Sequence, residues 1–549
     1  MSRPPRVTLE PQFRPRNRSV AEQLRYVTAA VDHSPHLIAI ADALTAKSGR
    51  PRNLPFRGFL IACCLHVCIQ ERNFYRGKIA DMIAELNRDQ RASLGLRGPI
   101  SYSQIVRASL KLERGARDGL TIDDPENPGQ SVTLHLDEVM SHICWAAIPA
   151  GMITTSTVAA DGTDFESPAR RDERVNKDTG EILPCADPDA ILGHRTSTQS
   201  HSDSWYLGQE VTVVTNAPDR ATRTRPSPAA PTVVLAAGIR PAGRDRGGVT
   251  SDLVLWCHRR QPVRECLVDR GISQSADENF SKPMRQNGIG LVIDLRSEQR
   301  KIRTALSDDR VLMINGGVFT SGTPAGLYKD LPVTKLQDTN AEKARIHELY
   351  DRLLPFLCAP LTSLGADGRQ RFRGPAHKRV RHVRCPNYPR SMRWSRLPKT
   401  TCTKGQPCIC STTFTLGPED EVKIRQRDLW MSTDWYASYA RRNASETGIS
   451  LARHHFGSLN RMFTQVRHRA GQGIAAAFSL FGTNLRSVQA WYDSRGLDDP
   501  WMAILAPATG DVSDHPRLPR ANRKKPKQSL MRRRASGTDP PPASAPDSQ

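Results

Sequence analysis

No apolar run in this chain of 549 residues is long enough to cross a bilayer. The longest, FLIACCLHVCI over residues 59–69, falls well short of the roughly 20 residues a spanning helix needs, and it carries a histidine; a buried helix is expected there. The N-terminal stretch MSRPPRVTLEPQFRPRNR has neither an apolar core nor a small-residue cleavage site, so no secretory signal is expected. Disulfides are therefore not expected either: the 12 cysteines are placed in a reducing cytosol as free thiols or metal ligands. Internal repeats are absent as well, which argues against a solenoid.

Negative charge is in short supply. Lys and Arg number 79 against 56 Asp and Glu, a formal net charge of +23. Such an excess attracts polyanions through counterion release at phosphates, which makes nucleic acid the leading partner; a basic surface kept for solubility is the alternative. Between residues 368 and 399 there are 11 Lys or Arg and no acid at all, a surface suited to lying along a phosphate backbone.

Apolar positions recur every three or four residues through most of the first 121 residues, which predicts an all-helical N-terminal domain. Arg50, Arg52, Arg57, Arg107 and Arg114 lie in or near its helices, so duplex binding by a helix-turn-helix-like unit is one expectation, with an ordinary helical domain as the other. DDPENPGQ (residues 123–130) reads as a turn-rich linker. Beyond it, TTSTVAADGTDF, SWYLGQEVTVVTN and PTVVLAAGIR read as strands, followed by the helical GVTSDLVLWCHRR, the strand ECLVDRG, the helical DENFSKPMRQNG and the strand IGLVIDL. Three strands followed by alternating helices and strands is the order of an RNase H-like α/β core, expected over residues 131–295. Residues 296–428, rich in Pro, Gly and basic side chains, are too long for a loop and predict an inserted subdomain. Residues 429–495 return to helical spacing and complete the core. Residues 515–549 form a Pro-, Ser- and Arg-rich tail expected to be disordered, either adding DNA affinity or merely solubilising.

Three acids stand out: Asp161 in TVAADGTDF, Asp269 in ECLVDRG and Glu446 in YARRNASETGISLAR. A two-metal phosphodiester centre gathers carboxylates from separate elements onto ions held roughly 4 Å apart. Asp-Gly and Asp-Arg-Gly are also what a hairpin or strand end would show, so each Asp alone says little. Asp137 and Asp164 compete with Asp161 for the first position, which goes to Asp161 because its strand is better formed and another follows. Tyr439, Arg442, Glu446 and Arg453 are spaced by three, four and seven, which on one continuous α-helix puts all four along a single stripe. An ordinary surface helix with an Arg–Glu pair would share that spacing; a phenol, a carboxylate and two guanidiniums on one stripe suit metal ligation and a grip on flanking phosphates. Cys385, Cys402, Cys408 and Cys410, with His382 nearby, could bind tetrahedral Zn²⁺, but the C-x16-C-x5-C-x-C spacing has no C-x2-C pair and leaves zinc and ordinary buried cysteines both open.

The stripe resembles the Y-(2)-R-(3)-E-(6)-K signature of a large group of DDE transposases from bacterial insertion sequences, with Arg453 where Lys is usual. VAADGTDFES, DPDAILGHRTSTQSHSDSWYLGQEV, LVDRGIS with PMRQNGIGLVIDL, and RHRAGQGIAAAFSLFGTNLRSVQAW are similar to the corresponding blocks of actinobacterial members, so that the likeness covers residues 154–491. The resemblance implies a bacterial, cytoplasmic, nucleoid-associated enzyme that binds the ends of its element, cleaves DNA and joins the 3′ ends to target DNA. It implies Asp161, Asp269 and Glu446 as catalytic ligands of two Mg²⁺, with Mn²⁺ as substitute. Tyr439, Arg442 and Arg453 would contact DNA, and a homodimer would assemble on double-stranded DNA away from any membrane. A catalytically inactive DNA-binding derivative, or a nuclease that cuts without joining, are the alternatives.

Overall fold

In the computed structural model the described residues are 15–45, 52–69, 73–169, 174–175, 182–183, 185–195, 203–221, 230–335, 337–460 and 462–505. The basic tail and Arg50 lie outside them. Among the described residues no helix is long and apolar enough to cross a membrane.

The chain opens with six helices: α1 (Val20–Asp32), α2 (Pro35–Ala43), α3 (Phe56–Ile69), α4 (Arg76–Glu85), α5 (Arg88–Ser93) and α6 (Tyr102–Asp118). Capping boxes start α1 and α5: Ser19 with Glu22 and Asn87 with Gln90 satisfy backbone N–H groups that the first turn leaves without partners. The apolar run at 59–69 lies in α3, which is buried on nearly every side. Residues 123–130, read from sequence as a linker, instead turn a hairpin. Strands β1 (Leu120–Asp123) and β2 (Ser131–Leu134) pair antiparallel, and Asp124 closes the loop by accepting from the Glu126 N–H and the Asn127 side chain.

Helix α7 (Leu136–Ala146) leads to β3 (Thr157–Glu166). A two-residue ladder, β4 (Arg174–Val175) with β5 (Ile182–Leu183), precedes β6 (Ile191–Arg195), β7 (Ser204–Ala217), β8 (Val234–Pro241), α8 (Arg246–Arg260), β9 (Glu265–Val268), α9 (Arg270–Ser273), α10 (Ser281–Gln286) and β10 (Gly290–Ile293). The central sheet runs β10-β9-β3-β7, with β8 and β6 side by side along the far edge of β7; β3, β9 and β10 are parallel and β7 is antiparallel to β3. The architecture is thus mixed α/β without a barrel. From Gly208 to Ala217 every residue of β7 is buried, because helices cover both faces of the sheet. Edge strand β8 keeps no free ladder: Ser141 and Asp137 on α7 and Asn484 further along bond its backbone at Ala237, Ile239 and Val234.

The insertion holds two small antiparallel sheets, β11 (Ile302–Thr304), β12 (Val311–Ile314) and β13 (Gly317–Thr320), then β14 (Ala359–Pro360), β15 (Gln370–Arg373) and β16 (Thr413–Leu416), with α11 (Asn340–Asp351) between them. After it come α12 (Thr433–Tyr439), α13 (Asn443–Ser450), the 25-residue α14 (Arg469–Asp493) and α15 (Pro500–Ile504). One hydrophobic core joins the N-terminal helices, α14 and the sheet face bearing Phe165, Val211 and Val213; a second packs α8 on the opposite face with Val158, Ala160 and Val214.

Candidate active site

Parallel pairing fixes the first two acids. Ala160 of β3 lies opposite Val268, the last residue of β9, so Asp161 and Asp269 occupy the next level on neighbouring strands that run about 4.8 Å apart. Asp161 is in mid-strand, with its side chain on the face that also carries Thr163 and Phe165. The Asp-Gly pair is no turn here. Gly162 is needed because Glu210 of β7 lies across it: a Cβ at 162 would come 2.2 Å from Glu210 Oε1. Asp269 follows directly on β9 and caps α9, accepting from the Ile272 N–H at 3.0 Å.

Glu446 arrives from α13 on the same face. Arg442 bridges it to Asp161, donating to Asp161 Oδ2 at 3.1 Å and to Glu446 Oε1. Burial, and then the charge of Asp269, push the Asp161 carboxyl up to about 7, with Glu446 adding to the rise and Arg442 opposing it. Asp161 is 20% exposed and Glu446 54%, so Asp161 is the sheltered acid of the pair and Glu446 the open one. Burial alone would lower the Arg442 guanidinium, but Tyr439, Glu446 and Asp161 together carry it above its ordinary value. Its Nε is buried and has no hydrogen-bond partner among the described residues.

Tyr439 stacks on Trp435 at 5.0 Å, and the Arg442 guanidinium lies 5.6 Å from its ring centre. Trp435 in turn donates to the Ile293 carbonyl at the end of β10. Burial raises the Tyr439 phenol, with Asp294 and Asp269 adding to the rise against Arg442; it stays a neutral donor.

Tyr439, Arg442 and Glu446 keep the expected stripe, Arg442 touching both of the others, while the step to Arg453 is not made on a continuous α-helix. The chain passes from α12 through a 3-10 turn at Ala440–Arg442 into α13 and then into a π turn at Leu451–His455. The wide turn is closed by the Phe456 N–H on the Leu451 carbonyl. Arg453 instead pairs with Asp164, at 2.8 Å, and bonds Thr163 Oγ1 at 2.9 Å. Arg195 holds the other side of Asp164. Although burial raises the Asp164 carboxyl, the two guanidiniums bring it below its ordinary value. Asp137, the other rival, is tied to Arg240 at 2.6 Å. Both rivals are therefore paired structural acids, as is Asp294, held by Arg270 and the Trp430 indole. Of the basic N-terminal residues, Arg57 is engaged by Asp32, while Arg52, Arg107 and Arg114 are exposed.

Sequence reasoning missed Arg246, which begins α8, is held by Glu210 and feels the charge of Asp269. No spacing rule could find it, since β7 and α8 meet only through the fold. The three acids offer hard oxygen donors around a point of excess negative charge, the chemistry Mg²⁺ accepts. They are not gathered around a single ion position, however, because Arg442 lies between two of them. Among the described residues only Cys385, Cys402, Cys408 and Cys410 form such a group. Comparison of the chain with family models, characterised proteins and solved structures finds no match.

Proposed function

We propose that the chain is a DDE-type transposase with an RNase H-like core, which binds the ends of its mobile element, cleaves phosphodiester bonds there and joins the 3′ ends to target DNA. One observation carries this reading: Asp161, Asp269 and Glu446, more than a hundred residues apart at each step, converge closely enough for Asp161 to feel both other charges. The strand order β8-β7-β3-β9-β10, in which β7 alone runs against the other four, supports the RNase H-like assignment.

Asp161, Asp269 and Glu446 would hold two Mg²⁺, or Mn²⁺ in their place. Bound there, such ions supply Lewis-acid stabilisation of charge on the attacking and leaving oxygens of an in-line displacement. Exposed Glu446 would leave Arg442 to complete the set. Arg442 then offers its freed N–H groups, its partnerless Nε among them, to a phosphate oxygen. Tyr439 donates its phenol proton beside it, held by the Trp435 stack. Arg453 positions the strand bearing Asp161 through Thr163 and Asp164 instead of gripping DNA. The +23 charge and the basic stretch at 368–399 supply affinity for duplex DNA, and a homodimer would bring two element ends together.

A second reading rests on Arg442 itself, which does a cation's work between Asp161 and Glu446 and would suit a DNA-binding derivative that no longer cuts. Incubation of the purified chain with end-containing duplex and Mg²⁺ separates the two. The transposase nicks and joins, and Asp269→Asn loses that activity by about 10³-fold or more while still binding DNA. Equal cleavage by Asp269→Asn removes the site assignment, and absence of any cleavage favours the derivative.

A further inference from the structure

Sequence spacing alone left Cys385, Cys402, Cys408 and Cys410 undecided between zinc and packing. The fold brings their four Sγ atoms within 4.8 Å of one another. Cys385 and Cys408 are 3.7 Å apart, and Cys402 and Cys410 3.5 Å. Four sulfurs placed about 2.3 Å from one tetrahedral ion lie about 3.8 Å from each other, and a disulfide would need about 2.05 Å. All four are free thiols. We propose that these four cysteines hold a structural zinc ion, independently of any reading of the carboxylate site.

The surroundings are built for such a cage. Cys385 and Cys410 are buried and the other two half-buried, leaving a closed set of four ligands with no place for substrate, as in a structural and not a catalytic centre. Thr320 Oγ1 lies 3.1 Å from Cys410 Sγ, and Asn387 donates to Cys408 Sγ at 3.6 Å, the outer contacts that orient thiolates. Asn387 also holds the ligand loop through the Thr403 and Gln406 carbonyls and the Gly405 N–H. Gly322 leaves room for the third ligand, since a Cβ there would stand 2.3 Å from Cys402 Sγ. His382 is exposed and outside the group.

The segment also has a need for it. Between β15 and β16, over residues 374–412, the only regular element is one 3-10 turn, and the cluster around Cys385 and Cys410 has just a handful of buried apolar side chains, among them Phe319, Phe356 and Val383. A loop-rich unit with so small a core takes its folding free energy from a metal. The 11 Lys and Arg between 368 and 399 offset the net negative charge of four thiolates on one divalent ion and would be held in place by the cage.

The full-length chain, purified without chelator, is expected to carry close to one zinc by elemental analysis, released in step with thiol modification by an organomercurial. Replacing zinc by Co²⁺ should give the intense ligand-field and thiolate charge-transfer bands of a tetrahedral four-sulfur site. The double variant Cys402→Ser/Cys408→Ser should lose the metal, whereas Cys185→Ser, at an exposed cysteine away from the group, should keep it. A wild-type chain that is folded yet metal-free, one that binds a metal other than zinc, or retention of zinc by the double variant overturns the proposal. Should the double variant not fold, the metal content and Co²⁺ spectrum of the wild-type chain still decide.

Discussion

Asp161 faces Asp269 across one strand spacing while Glu446 adds a third negative charge from the helix above; Arg442 pairs with Asp161 and Glu446, and Arg246 feels Asp269. Holding the Asp161 carboxyl at about 7 against an ordinary 3.8 has a consequence for stability. The folded chain binds this proton more tightly than the unfolded one, so the contribution is fully present below about pH 4 and is lost as pH rises through 7. Asp161→Asn, uncharged throughout, should therefore stabilise the metal-free chain above pH 7 by on the order of 1–4 kcal/mol and change little below pH 4. Thermal melts at the two pH values check this, and a variant less stable than wild type at pH 8 would contradict the repulsion argued for the site. Asp137, Asp161 and Asp164 could be ranked from sequence by the quality of their strands. What separates them physically was not legible there: the Arg240 and Arg195 that neutralise the rivals come from β8 and β6, and the Ala160–Val268 register that brings Asp269 alongside Asp161 is a property of the folded sheet.

Between Thr433 and His455 the sequence period suggested one helix, and the structure contains four successive windings in its place. Side-chain spacing reports an average rise and cannot register one added residue in a π turn, whose cause is tertiary: Asp164 and Thr163 draw Arg453 across to β3, and Asn460 caps its carbonyl. The strands of the sheet were easier to read, because short apolar runs between turn residues mark β7, β8, β9 and β10 without help from partners. If Arg453 serves to fix β3, then Arg453→Ala and Asp164→Asn should each destabilise the chain, and their double-mutant cycle should return a coupling of about 1–3 kcal/mol. The Arg453→Ala chain should also bind DNA with an unchanged salt dependence. A salt slope reduced by about one, with no coupling to Asp164, would instead return Arg453 to a phosphate contact.

The N-terminal helices, expected as an all-helical domain with duplex binding as one of two readings, share a core with the C-terminal helix that follows the site. Phe74 stacks on Phe478 at 5.5 Å, Val67 packs against Gly482, and Tyr26 donates to Asp499 at 2.9 Å. Arg18 pairs with Asp493, and the Phe74 N–H reaches the Phe463 carbonyl. The hydrophobic periodicity of the first 121 residues was legible, but not where their apolar faces would be buried, since periodicity names a face and never its partner. A chain starting at residue 131 would uncover the side of α14 that carries Phe478, Gly482 and Arg486, now packed on Phe74, Val67 and the Cys68 carbonyl. At about 1.5–3 kcal/mol for each large apolar side chain left uncovered, a few such losses come to a sizeable part of the whole stability of a typical domain. That truncated chain should therefore fail to fold cooperatively, losing its near-ultraviolet circular dichroism and its melting transition, and adding residues 15–121 as a separate peptide should restore both. A truncated chain that melts cooperatively by itself would mean that the helices are an appended module. In the intact molecule α14 stands between them and the sheet face that carries Asp161, so that the three are parts of one core.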